Sequence, residues 1–448
     1  MIEISIVIST IIVLSVLFIY PFYGVMLLFI VRPLVDTMYG YPLIGDLRLT
    51  EIVSVLVPCI IAARIVLIPD QTHALKDMPL KSVWFLYAIY ISFSSLIILY
   101  CEDLTSAANV FFRHINGFIG FYMVQAYFTD KKIRYFLLAL VLAGVFPMTI
   151  GIYEFATNHH WHKTFSEGLL RNIGLYHDAI TMRYYALQTI FGVILYCSMY
   201  IRSYLVHLTA FVYACASSIV MYKTYSKAGI IILSTWLLSW AVLKRNILLL
   251  IFLICLGITV ACVENGVLTN INKVFNKEIG AITGTGKKER VLEGRIYLWS
   301  SLINEWKEQS ALQKTFGTGK MTLGSHNDYL LMLFHGGVVG LLIYLALLIS
   351  IGIRIIFNLY ERAGPLNIGA FMAFFMWMTD SIGLVPSAYS GYQWFVWGVI
   401  GLGLREHRNE KLRKAEVSDR LQQDAATIPP LFDVASEPAA HVNHSLAG

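Results

Sequence analysis

Apolar residues along this chain gather into runs close to the ~20 residues that carry a helix across a bilayer, with short polar connections between them. The runs cover roughly 50–68, 83–101, 107–128, 134–153, 182–201, 204–222, 227–243, 247–263, 328–350, 366–385 and 390–404. The first 32 residues add either one long helix kinked at Pro21 or two short helices. Two full crossings there would leave about 16 residues each, short of the hydrocarbon thickness, so one crossing is preferred. The pattern predicts an all-α integral membrane protein of about 12 transmembrane helices, with a large extracytoplasmic loop between spans 10 and 11. It divides into 1–263 (spans 1–10 with short loops), 264–327 (the large loop, with an amphipathic helix), 328–404 (the region of spans 11–12) and 405–448 (a cytoplasmic tail).

Composition agrees: 57% of residues are hydrophobic and 14% charged, whereas soluble domains carry about 25% charged residues. Basic residues in short connections stay on the cytoplasmic side. If the runs alternate, Lys131, Lys132, Arg134, Arg202, Lys244, Arg245, Arg354, Arg362, Arg405, Arg408, Lys411, Arg413 and Lys414 fall on one side, which places both termini in the cytoplasm. No Arg-rich segment and no small-residue cleavage site frame the first run, which reads as a retained span. The six cysteines lie in or at the ends of spans and form no Cys-x-x-Cys pair, so metal and redox chemistry find no support. The net charge of +6 is spread over many loops, which argues against a nucleic-acid surface. From about residue 415 the tail is polar, carries prolines and reads as disordered. The two halves show no internal repeat, which disfavours transporter folds built by duplication.

The longest polar segment, 264–327, carries nine basic residues against six acidic, a net +3 on the outer side. Two stretches in it imitate a phosphate-binding loop. Such a loop needs Gly-x-x-x-x-Gly-Lys followed by Ser or Thr, but Lys314 stands five before Gly319 and Met321 follows Lys320; in "GAITGTGKK" Ala281 and Lys288 occupy the required positions. The excess charge reads either as a solvated mixed surface or as an anion site at the outer interface. In "EGRIYLWSSLINEWKEQ", Ile296, Trp299, Leu302, Ile303 and Trp306 recur at helical spacing, which predicts an amphipathic helix at the interface. Arg295 at its start is either a solvated surface arginine or a bidentate grip on a phosphate. At "GSHNDYL", Ser325, Asn327 or Asp328 can cap the helix entering the membrane near Tyr329. Capping leaves His326 unexplained. His335, with Gly336, Gly337 and Gly340, reads as close helix packing.

The pieces "SKAGIIIL" from Ser226, "GRIYLWSSLINEW" in the outer loop, "FGTGKMT", and "SHNDYLLMLFHGGVVGLLIY", with an upstream "RNIGLYHDAI" from Arg171, resemble the O-antigen ligase and polysaccharide polymerase family of bacterial membrane glycosyltransferases. The resemblance covers roughly the central 180 residues, and the histidine-asparagine segment ahead of a glycine-containing helix is its most specific part. It implies transfer of a glycan from undecaprenyl diphosphate to an acceptor hydroxyl on the outer face of the bacterial inner membrane. The anomeric centre inverts, and neither metal nor cofactor takes part. By the same resemblance, His326 matches the histidine proposed to activate the acceptor and Arg295 a basic residue that stabilises the leaving diphosphate. Lys227 stands where the family usually has arginine, which keeps the charge and loses the fork. Implied partners are the lipid-linked oligosaccharide donor, a glycan or lipid A-core acceptor, membrane lipids, a chain-length regulator and a flippase.

The chemistry is coherent by itself. Sugar nucleotides are not available outside the cytoplasm, so transfer there draws on an activated lipid; a departing diphosphate needs fixed positive charge, and histidine titrates near neutrality without perturbation. Arg171, Arg183, Lys227, Arg295 and Lys320 fall on or near the outer side, with Asn327 beside the histidine, as candidates to hold diphosphate or glycan. His159, His160 and His162 suggest a metal or, more simply, an aromatic interfacial loop. Arg113 and His114 interrupt an apolar span and should face a cavity, binding donor or pairing with Asp380. Glu154 and Asp178 flank the first outer loop, to contact sugar or stay solvated. The "SHNDYL" form favours a polymerase; a ligase performs the same chemistry on lipid A core. A twelve-span transporter and a transferase to protein hydroxyls are the rival readings.

Overall fold

The computed structural model describes residues 2–45, 47–68, 74–245, 265–283, 294–321 and 324–427. The expected span at 247–263 lies outside them, as do Glu264, Lys287, Lys288, Glu289, Arg290 and Glu293 of the loop and the tail from 428. Met1–Glu406 forms one compact unit and His407–Gly448 a second.

The described chain is built of helices, with two short hairpins at Pro42–Arg48 and Phe165–Leu170. In order they are α1 (Ile2–Ile19), α2 (Pro21–Asp36), α3 (Leu49–Leu67), α4 (Lys81–Cys101), α5 (Leu104–Tyr127), α6 (Ile133–Ala143), α7 (Val145–Thr157), α8 (Ala179–Tyr200), α9 (Tyr204–Lys223) and α10 (Lys227–Leu243). After the undescribed run come α11 (Asn265–Ile282), α12 (Arg295–Glu308), α13 (Ala311–Phe316), α14 (Asp328–Glu361), α15 (Pro365–Gly383) and α16 (Ser390–Thr427). Among the described residues, six stretches are helical, long and apolar enough to cross a membrane: Pro21–Gly40, Leu49–Leu67, Lys81–Cys101, Asp130–Thr157, Tyr204–Lys223 and Asp328–Glu361. The chain is thus an all-α protein of membrane character. Polar residues set the helix starts, because the first turn leaves its amides unpaired: Asp103 caps α5, Asp178 caps α8 and Ser226 caps α10.

Two expectations change. Residues 2–36 are not one long helix: the chain turns at Tyr20 (φ −125, ψ 77), and Gly24 packs against the Leu17 backbone. The Arg64 guanidinium, in the last turn of α3, donates to the Phe18 carbonyl and fixes the turn beside the end of α3. The tail is helical as far as Thr427, beyond the 415 expected for its disorder. Helix formers dominate "EHRNEKLRKAEVSDRLQQDA", and Glu410 precedes Lys414 at the favourable i,i+4 spacing.

The element that positions the candidate site is α14. Asp328 and Tyr344 share a hydrogen bond of 2.8 Å although 16 residues apart. In a straight helix they would stand about 24 Å apart along the axis, so α14 folds back on itself. It does so at Gly337 (φ 61, ψ −165), in a region open essentially to glycine alone. The short arm, 328–336, and the long arm, from 338, lie side by side, with Tyr329 and Tyr344 rings 6.1 Å apart. The fold strips Phe334, His335 and Gly336 of their helical acceptors' partners. Thr318 N–H donates to Phe334 O at 2.8 Å, the Ser94 hydroxyl to His335 O, and Tyr90 to Gly336 O at 2.5 Å. The segment after α13 thereby plugs the bend, which is why Gly317 (φ 112) sits against the His335 carbonyl.

Candidate functional site

The helix expected from near Tyr329 starts at Asp328, but it reverses at Gly337. His326 therefore stands at the start of the folded-back arm, whose Asp328 meets Tyr344; the Trp377 indole donates to Tyr344 at 2.9 Å. His326 is exposed and adopts a left-handed backbone (φ 45), uncommon outside glycine though less so for histidine. Its neighbours fix it there. Ser325 is fully buried and Asn327 nearly so, at 0% and 8% exposure. Ser325 Oγ donates to Asn327 O at 2.9 Å, and Trp299 of α12 donates its indole N–H to Ser325 O at 3.0 Å. The Asn327 amide accepts from Leu330 N at 3.0 Å, capping the arm, and donates to Ile382 O at 3.1 Å. Of the three candidate caps, Asn327 is the one used.

The last turn of α15 gathers the other candidates. Arg295 opens α12 behind Gly294 (φ 83), and its Nη1 stands 3.3 Å from where a Cβ on Gly383 would lie, next to the Ile382 carbonyl that holds Asn327. Asp380, in the same turn, accepts from Arg183 Nη2 and Tyr392, both at 2.8 Å. Arg183 also donates to the Ser226 cap at 3.1 Å. Lys227 follows that cap and is paired with Glu278 of α11 at 2.7 Å; Lys277 of α11 pairs with Glu167 at 2.6 Å. Arg171 donates to Thr224 O at 2.7 Å, on the turn that leads to Ser226. Arg295, Asn327 and Arg183 thus meet one helix end, and Lys227 and Arg171 adjoin it through Ser226. Lys320 sits elsewhere. It is exposed, between Gly319 against Cys101 and Met321, whose N–H donates to Glu102 at 3.0 Å at the top of α4.

Several residues depart from the roles considered for them. Asp380 is taken by Arg183, not by Arg113. Glu154 is fully buried and accepts from Gly174 N at 2.9 Å, which excludes the surface solvation considered for it, and His160 lies 3.8 Å from it. His159 packs against Trp161 with ring centres 5.4 Å apart, in an aromatic cluster with Tyr153. His114 joins Tyr87 and His335, each at 3.3 Å. The site also holds residues that sequence reasoning missed. Asp328, read only as a possible cap, is buried and accepts from Ser387 at 2.5 Å and Tyr344 at 2.8 Å, clasping both arms of α14 to the turn before α16. It lines, with His114, Tyr344 and Gln393, a cavity with room for about one water molecule. Asp36 accepts from Tyr184 and Tyr185 at 2.5 and 2.6 Å and pairs with Arg32 at 2.8 Å. Nothing local in the sequence signals either carboxylate's partners, which lie up to 149 residues away.

Chemically, an imidazole open to solvent and rigidly presented can take a proton, and the guanidinium beside the same helix end can hold an anion. The amides at the start of the short arm add a partial positive charge below His326. Comparison with family models and with curated proteins returns no match.

Proposed function

We propose that the chain is a membrane glycosyltransferase of the O-antigen ligase and polymerase type, acting on the outer face of the bacterial inner membrane and, by its "SHNDYL" form, a polysaccharide polymerase. The observation that carries the reading is the presentation of His326: exposed, left-handed, pinned by buried neighbours, and tied through Asn327 to the helix end that Arg295 also meets. In the reaction the His326 imidazole takes the proton of an acceptor sugar hydroxyl. The acceptor oxygen forms a bond to the anomeric carbon as that carbon's bond to the diphosphate oxygen breaks, with inversion. Arg295 holds the charge that develops on the departing undecaprenyl diphosphate. A lipid A-core acceptor would make the same chemistry that of a ligase. Counting the α1–α2 hairpin as two crossings and 247–263 as one brings the number of spans to thirteen and leaves the large loop after the tenth.

The test is glycan transfer from a purified undecaprenyl-diphosphate oligosaccharide in detergent. His326→Asn, which tolerates the left-handed backbone, should lower turnover by about 10²–10⁴-fold, the usual contribution of a general base, with thermal stability unchanged. Full activity in that variant would refute the mechanism, and product length separates polymerisation from single transfer. One observation favours a transporter instead: a helix broken inside the bundle beside a buried histidine pair, His114 and His335. Movement of the lipid-linked glycan across proteoliposomes with no new glycosidic bond would establish it.

A further inference from the structure

Four arginines within the helices, among the described residues, are occupied by internal partners. Arg32 pairs with Asp36, Arg183 with Asp380, Arg64 donates to the Phe18 carbonyl, and Arg405 donates to Gln125 O at 2.7 Å. Arg113 differs. It lies nine residues past the start of α5, about 14 Å along the axis, and is half-buried. Its guanidinium makes no ion pair or hydrogen bond among the described residues. Its position is nonetheless fixed. The Arg113 carbonyl accepts from Gln393 Nε2 at 2.8 Å, and the next residue, His114, is held by Tyr87 and His335.

The groups within electrostatic reach of the guanidinium are Asp328, Tyr389 and Tyr39. Asp328 has both carboxylate oxygens engaged, by Ser387 and Tyr344, and Tyr389 donates to Asp178 at 2.8 Å. A charge at this depth, on a backbone held in place and with no hydrogen-bond or ion-pair partner among the described residues, faces a cavity or a ligand rather than lipid. We propose that the Arg113 guanidinium binds a phosphate group brought to the bundle from outside, either on a lipid or as free diphosphate. Four of the cations expected to grip the diphosphate are otherwise engaged or placed: Arg171 on a carbonyl, Arg183 in a buried pair, Lys227 on Glu278, and Lys320 at the top of α4. Arg113 supplies the fork that Lys227 lacks. That the phosphate belongs to the glycan donor rests on the transferase reading above.

The experiment titrates the full-length protein in detergent with undecaprenyl diphosphate and, separately, with inorganic pyrophosphate, for the parent, Arg113→Gln and Arg113→Lys. A charged, hydrogen-bonded phosphate contact predicts roughly ten- to a hundredfold weaker binding in Arg113→Gln, with Arg113→Lys between it and the parent. Thermal unfolding of the unliganded variants confirms that they fold. Arg113-dependent binding of the lipid alone assigns the site to a headgroup; equal Arg113-dependent binding of pyrophosphate assigns it to free diphosphate. Unchanged affinity for both ligands in Arg113→Gln, or no binding of either by the parent, overturns the proposal. If binding depends on Arg113 but the parent transfers no glycan, the site stands and the transferase reading falls. If the parent transfers glycan and Arg113→Gln keeps the donor KM, the reading stands and the site falls.

Discussion

His326 and Arg183 represent two ways of holding a functional group at the residue scale. The first is fixed through its backbone, with a solvent-exposed ring between buried neighbours. The second is fixed through its charge, in a pair whose side chains are 1% and 0% exposed. Removing one member of such a pair strands the other in a poorly solvated interior. Asp380→Leu is therefore expected to cost about 3–5 kcal/mol in thermal or denaturant unfolding. The double variant Arg183→Met with Asp380→Leu should cost distinctly less than the two single changes together, since it leaves no unpaired charge. Additive losses would mean that the pair is not coupled as its geometry implies. Each residue was visible in the sequence as an ionisable side chain within an apolar run, but their pairing was not, because 197 residues separate them.

At the scale of elements, the fold of α14 decides where the candidate base lies. The run 328–350 reads as one straight span because hydropathy carries no information about direction, and Gly336-Gly337 looks the same whether it serves close packing or a reversal. The reversal is legible from Asp328 and Tyr329 meeting Tyr344 and from the backbone at Gly337. A Cβ at Gly337 would fall 2.4 Å from the Thr315 carbonyl group, on backbone that cannot yield cheaply, and φ 61 strains any side chain. Gly337→Ala should lower stability by about 1–3 kcal/mol, the usual range for such strain, and reduce transfer through the arm it displaces. Gly266→Ala in α11, where nothing lies within 4 Å, should leave the melting temperature no lower than the parent's. Equal melting temperatures for Gly337→Ala and the parent would argue against the reversal. Where local pattern and packing coincide, the sequence was a good guide. The runs at 50–68, 83–101, 182–201 and 204–222 became α3, α4, α8 and α9, and the segment expected to form an amphipathic helix became α12.

For the chain as a whole, two crossings by the α1–α2 hairpin would change the parity of the crossings. If each arm crosses and the basic connections lie inside, as the proposed function has them, the start of α1 is expected on the outer side. A cysteine at Ser5, in a background free of native cysteines, should react with an impermeant maleimide in intact spheroplasts, and one at Lys131 only after lysis. Protection at Ser5 until lysis would restore the single crossing. The fold-back also has a consequence for biosynthesis. Asn327 and Asp328 take their partners from Ile382 and Ser387, 55 and 59 residues later in the chain. A nascent protein released before Ser387 would already have inserted most of its helices, yet its histidine would sit on an arm with nothing to dock against. On the transferase reading proposed above, competence would then arrive only as the last two helices leave the ribosome, and an incompletely synthesised chain would be idle.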